Sequence, residues 1–483
     1  MRSFEMLSAI FNVLLLVWLM FAPNKSQKGL VAGFGISTLL LVIHAFVEGM
    51  RWPMIPIYVI TVFPILIFAK RSLLPSREQP QKTSRLRMTL LTILAALLSF
   101  TAAALPLLFP VFTFKKPTGP FAVGTVTYHW TDEKREEIST PEPEDKRELM
   151  VQIWYPANSA AKGARAPYVS NPDMFAAGYH KVLQFPELMF SSFAHVKTYA
   201  IEAAPLSETE AQYPVLVFSH GLSGYKNQNM FQVEQLASQG YIVVGIDHTY
   251  SSISSLLSDG RVANFIPQEM SVKNLDKLNE QWVEDAVFVL DQIEKLAKND
   301  LDHRFTGRMD MGNLGMFGHS FGGATSVQML MTDSRVKAAI NMDGALFGQL
   351  RIPADGLKKP FLMISADDTL RGADLMTDEV IAAQGTTREA ANAFYDELLV
   401  RYQPVATGGN YWMKLTNAKH FSFSDLYLLT PLFDWIEGID VRRTHQLTND
   451  YTLDFFNHYL KQQPFQYLEQ SIGENPDFTL LKG

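Results

Sequence analysis

Gly318, His319, Ser320, Phe321 and Gly322 stand in the order G-x-S-x-G, a spacing that lifts a serine hydroxyl out of a sharp strand-to-helix turn. An apolar run, NLGMF, leads into the motif and a helix-compatible run, ATSVQMLM, leads out of it. Glycine at 318 and 322 leaves room where a Cβ would collide in so tight a turn. Chance supplies on the order of 0.1 such matches in a chain of this length, and the strand and helix context lowers that further. A serine alkoxide is out of reach at neutral pH. Ser320 as a nucleophile therefore requires an imidazole to take its proton and a carboxylate to orient that imidazole.

Three histidines follow Ser320: His420, His445 and His458. His420 closes a strand-like run, YWMKLTNAKH, and is the expected base, whereas His445 and His458 fall around a closing helix and read as surface or packing residues. Asp343 ends VKAAINMD, and Asp367 and Asp368 end FLMISADD. On residue pattern alone, Asp343 and Asp368 stand level as the acid. The oxyanion of an acyl-transfer intermediate needs preorganised N–H donors, one after the nucleophile and one from an earlier strand-end loop. Phe321 and, within VFSHGLSG, Leu222 supply those backbone donors, with His220 and Gly221 shaping the turn. His220 and His319 read as turn formers rather than proton carriers.

The elements that must position these residues are legible from apolar patterning. FAVGTVTYHW and ELMVQIWYP alternate in the manner of strands on either side of a charged loop, which predicts an antiparallel entry to a sheet. From Tyr213 onward, apolar runs alternate with helical stretches, as strands buried on both faces of a parallel sheet require. The reading is an α/β fold of the doubly wound, mostly parallel α/β-hydrolase kind over residues 115–483, closed by an amphipathic helix near 451–460. A long connection at about 370–405, helical in composition, is expected to cap the ligand crevice at the carboxyl ends of the strands.

Four apolar stretches precede this domain, at about 5–22, 29–47, 54–69 and 88–112, and predict a transmembrane helical unit over residues 1–114. The third carries Pro56 and Pro64, which membrane helices tolerate. The loop before the fourth stretch holds Lys70, Arg71, Arg77, Lys82, Arg85 and Arg87 against Glu78, which marks it as cytoplasmic. By alternation residues 115–483 lie outside, and the first segment is expected to be retained rather than cleaved as a signal peptide. His44 reads as structural, since no second ionisable residue is expected at its depth to form a relay. The 29–33 Gly-xxx-Gly spacing reads as helix packing.

Composition bounds the rest. Residues 1–114 hold ten Lys/Arg and three Asp/Glu, against 32 and 46 in the remainder, so the second domain is acidic. An acidic domain repels phosphate backbones, and no nucleic-acid partner is expected. With no cysteine, disulfides, thiolate metal sites and cysteine nucleophiles are excluded. No phosphate-binding glycine loop lies outside the membrane segments. Neither a cofactor nor a metal is expected.

GPFAVGT, IWYPA, SHGLSGYKN and GMFGHSFGGAT, with the regions of Asp343 and His420, resemble the plasma-type platelet-activating factor acetylhydrolase family, also called lipoprotein-associated phospholipase, through most of residues 119–460. The resemblance implies Ser320, Asp343 and His420 as the catalytic residues, placing the acid at Asp343. It implies hydrolysis of short or oxidised acyl esters, phospholipid sn-2 acetyl-type esters among them. The family's familiar animal members lack a four-helix membrane unit, and the connection before His420 is longer here. SADDTL is similar to the acid loop of bacterial cutinase and polyester-hydrolase relatives, although MDGAL replaces their usual Pro-Trp. The resulting expectation is an ester hydrolase on the outer face of a bacterial membrane, with a small-molecule or lipid ester as substrate and the bilayer as partner. A polyester or cutinase-like hydrolase, an acyltransferase, or a membrane sensor or transporter with a degenerate hydrolase domain are the competing readings.

Overall fold

The computed structural model describes residues 1–22, 25–73, 84–142, 144–366, 369–383 and 385–483. They fall into two compact units. The first comprises Met1–Phe112 with Pro186–Val196 and Leu429–Leu432, and the second Thr113–Phe185, Lys197–Leu428 and Phe433–Gly483. The two downstream segments of the first unit lie within the stretch that the sequence assigns to the hydrolase domain. A hydropathy profile registers composition along the chain and is blind to such excursions.

In the first unit, α1 (Ser3–Phe21), α2 (Gln27–Val47), α3 (Ile55–Leu73) and α4 (Arg85–Leu108) are long and apolar enough to cross a membrane. Most of their large apolar side chains face outward, Leu14, Phe46, Phe63 and Phe100 among them, as a lipid-facing surface requires. Polar groups turn inward. Arg51 donates from Nε to Glu5 Oε1 at 2.6 Å and from Nη2 to Glu5 Oε2 at 2.9 Å. His44 pairs through Nδ1 with Glu48 Oε2 at 3.1 Å and through Nε2 with the Tyr58 hydroxyl at 2.9 Å. Glu48, one helical turn further along the chain, and Tyr58 are thus ionisable partners of His44 that the sequence reading did not place beside it. Glu5, His44 and Glu48 bring ligand-type atoms within 4.8 Å of one another, but Arg51 and Arg2 already engage Glu5, and the Phe4 and Glu5 N–H groups engage Glu48. Several of the basic residues on which the expected orientation rests, Arg77 and Lys82 among them, lie outside the described residues.

The second unit is built on a twelve-stranded sheet. Its strands and the accompanying hairpin are β1 (Ala122–Glu136), β2 (Lys146–Ala157), β3 (Arg165–Pro167), β4 (Lys197–Glu202), β5 (Tyr213–Ser219), β6 (Ile242–Asp247), β7 (Ser254–Leu256), β8 (Val262–Asn264), β9 (Met309–His319), β10 (Val336–Met342), β11 (Phe361–Ala366), β12 (Tyr411–Leu415), β13 (Gly473–Asn475) and β14 (Phe478–Lys482). The helices are α5 (Pro172–Leu183), α6 (Met230–Ser238), α7 (Val272–Lys298), α8 (Phe321–Thr332), α9 (Asp378–Ala383), α10 (Arg388–Tyr402), α11 (Leu432–Glu437) and α12 (Val441–Lys461). The sheet order is β13-β14-β12-β11-β10-β9-β5-β6-β2-β1-β4-β3.

From β12 across to β6 neighbouring strands pair in parallel, while β1 and β2 enter antiparallel, as their alternation predicts. β6 is buried at every position and β5 at all but one, which is why they read as continuous apolar runs. The last helix does not close the fold. After α12 the chain adds β14 antiparallel to β12 and then β13 to β14. β13 is a three-residue edge strand with exposed polar residues and β14 is only five residues long, so neither gives an apolar run long enough to be recognised in the sequence.

Candidate active site

The parallel strands deliver their carboxyl ends to one rim of the sheet. Ser320 follows β9 directly, Asp343 follows β10, and His420 lies five residues beyond β12, opening a short 3-10 turn, His420–Phe423. Ser320 adopts φ 54° and ψ −121°, a conformation L-residues rarely enter. The flanking glycines permit it: a Cβ on Gly318 would stand 2.3 Å from the Gly322 backbone, and one on Gly322 would stand 2.1 Å from the Ser219 carbonyl oxygen. Gly322 thereby lets the start of α8 press against the end of β5.

The side chains meet in series. His420 Nε2 lies 2.9 Å from Ser320 Oγ, and His420 Nδ1 lies 2.7 Å from Asp343 Oδ2. Asp343 Oδ1 accepts from the Ala366 N–H at 2.7 Å and from the Thr369 hydroxyl at 2.5 Å. Burial raises the Asp343 pKa, but the hydrogen bonds from His420, Thr369 and Ala366 and the charge attraction of His420 outweigh it, and the carboxyl is held below its usual range. The carboxylate is ionised at neutral pH, as an acceptor for His420 Nδ1–H requires. Asp367 and Asp368 lie outside the described residues.

His319 and Gln228 form a backing layer. His319 Nε2 lies 2.9 Å from the His420 carbonyl oxygen, so Nε2 carries the proton and Nδ1 accepts from Gln228 Nε2 at 2.6 Å. Burial, with repulsion from His420, lowers the His319 pKa to about 3, so the ring is neutral. Gln228 Oε1 in turn accepts from the Gly221 N–H at 3.1 Å. Thr369 and Gln228 carry no motif and were not singled out by sequence; Thr369, in SADDTL, had only its closeness to the candidate acids as a signal. His445 is buried and stacks on Phe231, with ring centroids 3.7 Å apart, while His458 stacks on Phe465 at 3.7 Å; both are packing residues.

Neither the Leu222 nor the Phe321 amide finds an acceptor among the described residues, and both residues line the same cavity as Ser320. Phe321 opens α8, whose unsatisfied N–H groups concentrate partial positive charge beside the serine. The cavity, of about 520 Å³, is walled by Leu375, Met376, Phe394, Tyr395 and Leu398 from the segment expected to cap the crevice. A smaller hollow of about 90 Å³ reaches Ser320 from the other side, between Tyr179, Leu183, Phe421 and Leu426. A larger one, about 750 Å³ around Glu210, Tyr213 and Lys461, contains none of Ser320, Asp343 or His420.

A mostly parallel sheet with a half-buried serine on a strand-to-helix elbow, and a histidine and an aspartate on later strand ends, defines an α/β-hydrolase fold. The particular family follows from comparison with known proteins. Residues 108–469 match the family of platelet-activating factor acetylhydrolase, isoform II, and the chain belongs to it. It is 25% identical over 271 residues to a probable 1-alkyl-2-acetylglycerophosphocholine esterase of Arthroderma benhamiae, covering 52% of this chain and 63% of that protein. It is 30% identical over 226 residues to platelet-activating factor acetylhydrolase of Canis lupus familiaris, covering 40% of this chain and 49% of that protein. The aligned stretches thus span under two thirds of those relatives' lengths. A solved ferulic acid esterase from Streptomyces cinnamoneus superposes with a TM-score of 0.57 at 26% identity, covering 77% of this chain and all of the other.

Proposed function

We propose that the chain is a membrane-anchored serine ester hydrolase that cleaves short or oxidised acyl esters, phospholipid sn-2 acetyl-type esters among them, through an acyl-enzyme on Ser320. The observation that carries the reading is His420, hydrogen-bonded through one ring nitrogen to Ser320 and through the other to the buried Asp343. Ser320 Oγ attacks the ester carbonyl carbon while its proton passes to His420 Nε2. The carbonyl oxygen, now an oxyanion, accepts from the Leu222 and Phe321 N–H groups. The C–O bond to the alcohol breaks as His420 returns the proton to that oxygen. Water, deprotonated by His420, then attacks the acyl carbon, and the carboxylic acid leaves with Ser320 restored. Asp343 holds Nδ1–H throughout and stabilises the imidazolium.

The two hollows at Ser320 support the substrate class. A volume of about 90 Å³ suits a short acyl group, and the 520 Å³ cavity, with its aromatic and aliphatic cap residues, suits a larger apolar alcohol portion. α1 to α4 anchor the protein in a bacterial cell membrane with the hydrolase domain outside, on the strength of the basic loop at 70–87. The test is fluorophosphonate labelling of the full-length protein in detergent, together with p-nitrophenyl acetate turnover. Label and turnover are expected in the unaltered chain and absent in Ser320→Ala. Turnover retained in that variant would overturn the proposal.

A further inference from the structure

A second serine, histidine and aspartate stand in series elsewhere in the hydrolase domain. Ser219 Oγ lies 2.9 Å from His248 Nε2, and His248 Nδ1 lies 2.9 Å from Asp285 Oδ2. All three residues are fully buried, so no ester reaches Ser219 and the series is not a second active site. The Asp285 carboxylate is also clamped by Arg147, which donates from Nη2 to Oδ2 at 2.6 Å and from Nε to Oδ1 at 3.0 Å. With Nδ1–H committed to Asp285, His248 Nε2 is the acceptor and the Ser219 hydroxyl donates to it. Burial lowers the His248 pKa even against the neighbouring Asp285, which keeps the ring neutral and this polarity in place.

The series ends where the oxyanion loop begins. Ser219 is the last residue of β5, and His220, Gly221 and Leu222 follow it. The His248 backbone N–H donates to His220 Nε2 at 3.1 Å, and His220 Nδ1–H donates to the Gly221 carbonyl oxygen at 2.6 Å. The His248 ring lies flat on Trp282, 3.8 Å between centroids and 11° between planes. Trp282 meets His220 edge-on at 5.0 Å and Phe321 edge-on at 4.8 Å. One buried cluster, built from Trp282 and Asp285 on α7, His248 after β6 and Ser219 at the end of β5, therefore touches the turns that present both candidate oxyanion donors, which come from strands about a hundred residues apart in the chain.

We propose that Ser219, His248, Asp285 and Trp282 are positioning residues that hold the Leu222 and Phe321 N–H groups in register for the tetrahedral intermediate. The proposal rests on the reading of Ser320 as the nucleophile. Complete loss of one oxyanion donor costs roughly 10²–10³ in kcat, so a displaced donor costs less and leaves ground-state binding intact.

The test compares the full-length protein in detergent with Ser219→Ala and with His248→Phe, which keeps the stack on Trp282 and removes both side-chain hydrogen bonds. Turnover of p-nitrophenyl acetate and inhibition by an alkyl trifluoromethyl ketone, whose hemiketal oxygen occupies the oxyanion site, are measured alongside thermal melting. Both variants are expected to lose about 10- to 100-fold in kcat, with KM within about twofold and ketone affinity reduced by the same factor as kcat. Unchanged kcat in a folded variant, or a loss of kcat without loss of ketone affinity, would overturn the proposal. If His248→Phe fails to fold, Ser219→Ala, which deletes a single oxygen atom, decides alone. Turnover in the unaltered chain that survives Ser320→Ala would instead sink the nucleophile reading, and the cluster's role with it.

Discussion

Asp343 Oδ2 lies 2.7 Å from His420 Nδ1, with the aspartate side chain wholly buried and the histidine side chain 43% exposed. The buried partner is thus fixed by Ala366 and Thr369, and the exposed one is oriented by it. Changing Asp343 to Asn replaces an acceptor facing Nδ1 by a group that can donate, favouring the wrong tautomer of His420. Asp343→Asn is expected to cost about 10⁴ in kcat, as the same change does in a Ser-His-Asp protease. Asp368→Asn is expected to cost about tenfold at most. Steady-state turnover of a p-nitrophenyl ester ranks the two, and the reverse order would move the acid to Asp368.

A second expectation concerns stability. Glu234 is buried on α6, and its Oε1 accepts from the N–H groups of Tyr199 and Ala200 at 2.6 and 2.7 Å. Burial outweighs those hydrogen bonds and pushes its pKa up from 4.5 to about 8. The folded chain keeps this proton through that interval, whereas the unfolded chain releases it above 4.5. The unfolded state then binds fewer protons, so stability falls as pH rises between those values, by up to about 1.4 kcal/mol per pH unit. Glu234→Gln cannot ionise and is expected to flatten this decline, raising the melting temperature relative to the unaltered chain at pH 8 but not at pH 4.5. Parallel melting profiles for the two proteins would contradict it.

Membrane orientation has its own check. Protease added to intact cells is expected to digest residues 115–483 while leaving the loop around 70–87 protected. Digestion of the hydrolase domain only after lysis would reverse the orientation.

The sequence by itself determined the elements and the type of chemistry. G-x-S-x-G between a strand and a helix is a local pattern, because the strained turn at Ser320 demands glycine within two residues on either side. The four membrane helices and the parallel strands were equally legible, since burial in lipid or on both faces of a sheet leaves an unbroken apolar run. The sequence named Ser320 and His420, and the resemblance Asp343, as candidates, but only the tertiary structure shows these groups in contact. Ser320 and His420 are a hundred residues apart, and Asp343 and His420 are separated by 77; their contact follows from the order β9-β10-β11-β12 in the sheet, which no local pattern encodes. The Glu5–Arg51 pair in the membrane unit and the Ser219–His248–Asp285 series escaped the sequence for the same reason. Buried polar groups must find partners wherever the fold places them, and the chain between those partners carries no record of the distance they will close.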